Sequence, residues 1–203
     1  MSRVLILFVL GATLGPLGDW FHVISETTAY PSGVYAFYFG KQPYWVPLLF
    51  GAAGLAIGLS HPQMDRWLGA PLGRRGSRGI AGVIFGIAAF LGIYAMSAFA
   101  PLETGSSLDI TIAAAAMLLW WAADRTWQGL LLAALTAAVG CAVEIYLVQQ
   151  RAYVYLSPKD NFYGVASWLP WLYVAASVAV GNLGRFLQNP GSAPEPLPST
   201  AIS

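Results

Sequence analysis

The sequence predicts an all-α polytopic membrane protein, a bundle of six transmembrane helices with both termini cytoplasmic. Three observations carry that reading. Only 9% of the 203 residues are charged against 57% hydrophobic, and mean hydropathy is +0.62, so the chain has too little polar surface to cover itself in water. Long apolar runs recur along the chain, broken by charged, Pro-rich or Tyr-rich segments. The basic residues fall unevenly across the alternation those runs impose.

Arg3 precedes the apolar run Val4 to Leu17. No small-x-small cleavage site follows and more membrane sequence does, which favours a first spanning helix over a signal peptide. The helix is expected over 3–24, kinked at Gly15-Pro16, with Asp19 and His22 on one face of its second half. A polar, Tyr-rich loop follows over 25–42. Helix 2 is expected over 43–60, with Gly54 and Gly58 spaced for close helix contact. The segment 61–78 reads as the most basic loop and contains His61. Helix 3 is expected over 79–100 and helix 4 over 108–123. Thr126 is the natural cap of helix 5, over 127–150. After a loop at 151–165 comes helix 6, over 166–187. Residues 1–187 thus form the transmembrane domain, and the Pro- and Ser-rich tail 188–203 reads as disordered.

With the N-terminus inside, that side holds Arg3, Arg66, Arg74, Arg75, Arg78, Arg125 and Arg185, against Lys41, Arg151 and Lys159 outside. Seven against three places both termini in the cytoplasm. An even number of helices demands that the termini share a side, so the two inferences agree. Eight of the ten basic residues are Arg, a bias that suggests a bacterial cell membrane; a eukaryotic source would point to the endoplasmic reticulum.

Several functions find no support. A net charge of +1 makes no electrostatic case for nucleic acid. The single cysteine, Cys141, forms no intramolecular disulfide. The only histidine besides His22 is His61, in an expected loop, so no metal site and no cofactor are implied. Neither G-x-S-x-G, H-E-x-x-H nor a phosphate-binding glycine loop occurs, and no enzyme is expected.

Polar groups inside the expected helices are costly and therefore informative. Glu144 lies deep in helix 5 on one face with Thr136 and Gly140. It reads either as a protonated acid bonded to a neighbouring helix or as a ligand-facing group. Gly82, Gly86, Phe90, Tyr94 and Ser97 form a stripe along helix 3, the small ones at ordinary packing spacing. Helix 4 ends in Leu118-Leu119-Trp120-Trp121-Ala122-Ala123-Asp124-Arg125, an aromatic pair stacked one turn above a carboxylate. That octapeptide reads as an interfacial aromatic belt or as a docking site at the membrane edge, with Asp124 solvated there.

Five segments carry a specific resemblance. They are Tyr44-Trp45-Val46-Pro47, Pro62-x-x-Asp65-x-x-Leu68-Gly69-x-Pro71, and Leu119-Trp120-Trp121-x-x-Asp124-Arg125-x-x-x-Gly129-Leu130, then Ser167-Trp168-Leu169-Pro170 and Val180-Gly181-Asn182-Leu183-Gly184-Arg185. In this order and spacing the chain resembles the Insig (insulin-induced gene) family. The resemblance implies a six-helix membrane regulator with cytosolic termini. Its animal members bind oxysterols and engage Scap and HMG-CoA reductase. It implies a partner-binding role for Asp124 and a sterol-facing one for Phe90, Ser107 and Trp120. Ser107 stands where the family has glutamine. The animal cysteines near Trp45 and Pro170 are absent, as is any lysine in the basic loop.

The expected function is therefore binding of a neutral lipid, a sterol or a diacylglycerol-type lipid, in a cavity between helices. Phe90, Tyr94, Met117 and Trp120 would supply apolar wall, while Asp19, His22 and Glu144 would meet a hydroxyl. A Scap-like membrane partner and a homo-oligomer are the expected protein associations. The rival reading is a small proton-coupled transporter working through Glu144.

Overall fold

The computed structural model describes residues 2–31, 35–37, 42–69 and 79–188. Among the described residues there are six helices: α1 (Arg3–Ile24), α2 (Trp45–Trp67), α3 (Gly79–Phe99), α4 (Ser107–Ala123), α5 (Trp127–Gln149) and α6 (Leu169–Gln188). Two small antiparallel pairs accompany them. β1 (Thr28–Ala29) pairs with β4 (Val154–Tyr155), and β2 (Tyr35–Phe37) pairs with β3 (Gln42–Pro43). Lys41, Arg74, Arg75, Arg78 and the expected tail beyond Gln188 fall outside the described residues, and Gln188 itself ends α6.

The helices begin where local chemistry lets them. Ser2 accepts the Leu5 N–H at the start of α1, and Thr126 accepts the Gly129 N–H at the start of α5, each satisfying a donor the first turn leaves free. Helices α1, α2, α3 and α5 are long and apolar enough to cross a membrane. Helix α4 is shorter, at 17 residues, and α6 is the central post. It packs against α2, α3, α4 and α5 and is buried along most of its length. Small residues on α6 make that possible, because Ala175, Ala179, Gly181 and Gly184 let four neighbours approach its backbone.

The main departure from expectation is α2. The expected helix ended at Ser60, with His61 in the basic loop. The helix instead runs to Trp67, and His61 is fully buried against Ser177, Nε2 to Oγ 3.0 Å. A proline removes the donor for the carbonyl four residues back, here that of Gly58. Gly184 of α6 backs directly onto that carbonyl, where any Cβ would overlap it. Tertiary packing occupies the gap, so the helix continues. Gly54 and Gly58 do mark a close contact, and the partner is α1 at Leu7 and Gly11.

Candidate functional site

A cavity of about 510 Å³ lies between α1, α2, α3, α5 and α6, lined mainly by apolar side chains. Its polar residues are concentrated at one end. Asp19 on α1 accepts the Tyr30 hydroxyl at 2.7 Å and the Gln42 amide at 2.6 Å on one oxygen. Glu144 on α5 accepts three phenols: Tyr153 and Tyr155 at 2.7 Å on Oε2, and Tyr173 at 2.6 Å on Oε1. Burial, and then the neighbouring Glu144, push the Tyr153 and Tyr155 phenols well above their usual range. Burial followed by Asp19 does the same for Tyr30. All three phenols therefore stay protonated and remain donors.

His22 completes that end. Its Nε2 lies 2.9 Å from Ser97 Oγ, while the Ser97 hydroxyl donates to the Tyr94 carbonyl. A hydroxyl has one proton, so Nε2–H of His22 is the donor to Ser97. The imidazole is held between the rings of Tyr94 and Trp168, at centroid distances of 4.6 and 5.1 Å. Phe90 meets Tyr94 edge-on at 5.7 Å and extends the apolar wall.

Of the residues singled out from sequence, Asp19, His22, Phe90, Tyr94 and Glu144 line this one cavity, as do Thr136 and Gly140. Ser107, Met117 and Trp120 do not, because α4 contributes none of the described lining. Ser107 is exposed at the start of α4 and accepts the Glu103 N–H. Met117 is half-buried, and Trp120 donates Nε1–H to the Thr126 carbonyl at 3.1 Å, bracing the α4–α5 turn. Sequence reasoning missed Tyr30, Gln42, Tyr153, Tyr155 and Tyr173 as partners of the two acids. The available signal was Tyr153-x-Tyr155, an i, i+2 pair that aims two phenols to one side of an extended segment.

A second polar centre sits at the opposite end of the bundle. Arg185 on α6 makes a bidentate pair with Asp65 on α2, Nε to Oδ2 at 2.7 Å and Nη2 to Oδ1 at 2.9 Å. It also pairs with Asp124, Nη1 to Oδ2 at 2.9 Å. All three residues are buried. This corrects the expectation of a solvated Asp124 at the membrane edge. The Asp124 carboxylate also accepts the Thr126 N–H and hydroxyl, and it packs into space that a Cβ at Gly129 would fill. The exposed neighbour is Arg125, whose guanidinium lies 4.3 Å from the Trp121 ring centroid.

A helical bundle with apolar outer faces, buried ion pairs and an apolar inner cavity defines a multi-pass integral membrane protein. Comparison with known proteins names the kind. The family model for insulin-induced protein (INSIG) matches residues 2–188. Insulin-induced gene 1 protein of Danio rerio is 35% identical over 187 residues, covering 92% of this chain and 72% of the relative. The protein of that name from Homo sapiens is 34% identical, over 92% of this chain and 66% of its own. The crystal structure of MvINS, a mycobacterial Insig homologue from Mycobacterium vanbaalenii, superposes with a TM-score of 0.80 at 30% identity, covering 92% of this chain and 94% of that one. A cross-linked trimer of MvINS matches equally well, with a TM-score of 0.80. The chain belongs to the Insig family.

Proposed function

We propose that this protein holds one neutral, hydroxyl-bearing lipid, a sterol or a diacylglycerol-type lipid, in the α1–α2–α3–α5–α6 cavity. We further propose that it acts as a lipid-responsive regulator of a membrane partner and catalyses no reaction. The observation that carries the lipid reading is the asymmetry of the cavity: a long apolar wall with two carboxylates at one end. No Lys or Arg is among the described lining residues, so a phosphate or fatty-acid headgroup would meet two acids and no counter-charge. A hydroxyl suits the place, since it can donate to a carboxylate lone pair and accept from His22 or a phenol. An unpaired hydroxyl in hydrocarbon costs roughly 2–7 kcal/mol, enough for one polar end to fix the lipid's orientation. In this proposal the lipid-facing residues are Asp19, His22, Phe90, Tyr94 and Glu144. Ser107, Met117 and Trp120 stand apart on α4. The partner is a membrane protein of the kind its animal relatives engage, or further copies of the same chain, as in the MvINS trimer.

Native mass spectrometry of the detergent-solubilised protein, followed by lipid extraction, tests this reading. The expected result is one uncharged lipid per chain, retained in Glu144→Gln because the amide keeps an acceptor and lost in Phe90→Ala. Trp120→Ala should lower stability without selective lipid loss. Proton-driven substrate flux in liposomes, abolished by Glu144→Gln, would replace the lipid reading with the transporter.

A further inference from the structure

The connection between α5 and α6 contains a tight turn that carries two exposed aromatic rings. Phe162 and Val165 exchange both backbone hydrogen bonds, N–H to carbonyl at 2.8 and 3.0 Å. The two residues between them, Tyr163 and Gly164, have φ of +51° and +85°. Consecutive positive φ values close the two-residue turns of β-hairpins, where glycine, asparagine and aspartate adopt them readily. A tyrosine does so only under strain. Its ring gains little from the chain in return. It meets Phe162 edge-on at 5.0 Å, yet Tyr163 stays 77% exposed and Phe162 39%.

The turn is pinned at a defined depth. Asn161 accepts the Ser167 N–H and donates to Ser167 Oγ, both at 3.0 Å. A Cβ on Gly105, in the α3–α4 connection, would touch the Asn161 amide, and one on Gly164 would press on Val148 in the last turn of α5. Helix α5 is long and apolar enough to cross a membrane, so its last turn marks where hydrocarbon gives way to headgroups. Exposed rings mark the same level on neighbouring helices: Tyr44 before α2, Phe99 ending α3, Tyr146 on α5 and Trp171 on α6. Aromatic rings collect at that boundary. Charge does not draw the turn there, because Asp160 lies two residues before Phe162 and Lys159 is engaged with Thr27.

We propose that Phe162 and Tyr163 form an interfacial anchor, a rigid aromatic tip seated in the lipid headgroup layer at the end of the bundle opposite Arg185. Shelter for the rings in that layer offsets the strain at Tyr163, which contacts within the chain do not. The anchor fastens the α5–α6 connection, and with it Tyr153 and Tyr155, to the membrane surface. It is independent of what the inner cavity holds.

Spin labelling of the full chain in phosphatidylcholine vesicles tests this. Cys141→Ala removes the one native thiol, and Phe162→Cys then carries the nitroxide. Asp160→Cys serves as the water-side reference and Val139→Cys, exposed at the middle of α5, as the hydrocarbon reference. Collisions with oxygen, which concentrates in the bilayer, are compared with those of a water-soluble nickel chelate. The label at 162 should favour oxygen more than the one at 160 and less than the one at 139. Tyr163→Gly accepts the positive φ without strain and removes the ring, so the turn persists while the label shifts to the Asp160→Cys value. Tyr163→Trp should restore the original value. A label at 162 as open to nickel as that at 160, or unmoved by Tyr163→Gly, overturns the proposal. Immersion that appears only on adding phosphatidylglycerol also overturns it, since charge would then be the cause. So does shielding from both reagents, the mark of a protein partner or second copy covering the turn.

Discussion

Arg185 holds together three parts of the chain that are distant in sequence. Its guanidinium meets Asp65 in the last turn of α2 and Asp124 in the turn before α5, while Asn182 one turn earlier donates to the Ala123 carbonyl. One cation between two carboxylates leaves an excess negative charge. The α5 N-terminus beside Asp124 offsets part of it, and Arg185 itself sits favourably at the C-terminal end of α6. These placements decide how substitutions should rank. Arg185→Met strands two buried carboxylates and should cost about 3–5 kcal/mol, the range for breaking a buried pair. Asp124→Ala removes its own pair with Arg185 and two local hydrogen bonds but leaves the guanidinium its bidentate Asp65 partner, so a smaller loss of about 1–3 kcal/mol is expected. Thermal unfolding in detergent measures both, and equal losses would count against Arg185 as the hub. Any effect of Asp124→Ala on a partner should then be read alongside this shift, because the side chain is buried and acts through the shape of the α4–α5 turn.

At the scale of elements, β1 and β4 form a clasp over the polar end of the cavity. Their pairing is extended by Leu156 N–H to the Thr27 carbonyl at 3.0 Å and by Lys159 to Thr27 Oγ1 at 2.7 Å. The same segments carry Tyr30, Tyr153 and Tyr155 onto Asp19 and Glu144, so the clasp and the acids hold one another. The phenols are raised from an ordinary value of 10.0. A group raised in the folded state stabilises it fully below its unfolded value, and that contribution is lost as pH climbs above it. Stability should therefore be flat up to about pH 10 and decline beyond it as the unfolded phenols ionise. A melting series from pH 8 to 11 checks this, and Tyr153→Phe/Tyr155→Phe should flatten the alkaline decline while lowering the plateau.

For the whole molecule, the two polar centres label opposite ends. Asp65, Asp124 and Arg185 bring the end of α2, the α4–α5 turn and the end of α6 to one face. Tyr30 and Tyr153 bring the α1–α2 and α5–α6 connections to the other. This is the alternation that six successive crossings require. Which face is cytoplasmic rests on the arginine count, and we propose the Arg185 face. Reporter fusions after Arg75 and Thr126 should then read inside, and those after Thr104 and Asp160 outside. An outside reading at Arg75 would reverse the assignment.

Hydropathy in the sequence was enough to place the six helices, save the end of α2, because apolar length acts locally, as does the Thr126 cap of α5. Thr126, the bounds of α3 and α4, and the helical face of Thr136, Gly140 and Glu144 were all legible that way. Glu144 was legible as costly, but its three phenol donors were not, since they come from two loop tyrosines and a residue on another helix. Asp124 looked solvated because it ends an apolar run. Its burial depends on Arg185, sixty-one residues later. The continuation of α2 past Ser60 was not legible, because nothing in that segment shows that Gly184 will cover the carbonyl Pro62 leaves free. Local sequence determined which residues form helices and which groups are too polar to lie there unpaired. Only the tertiary structure decided the partners, because a buried charge or carbonyl is satisfied by whatever segment packing brings within hydrogen-bond reach.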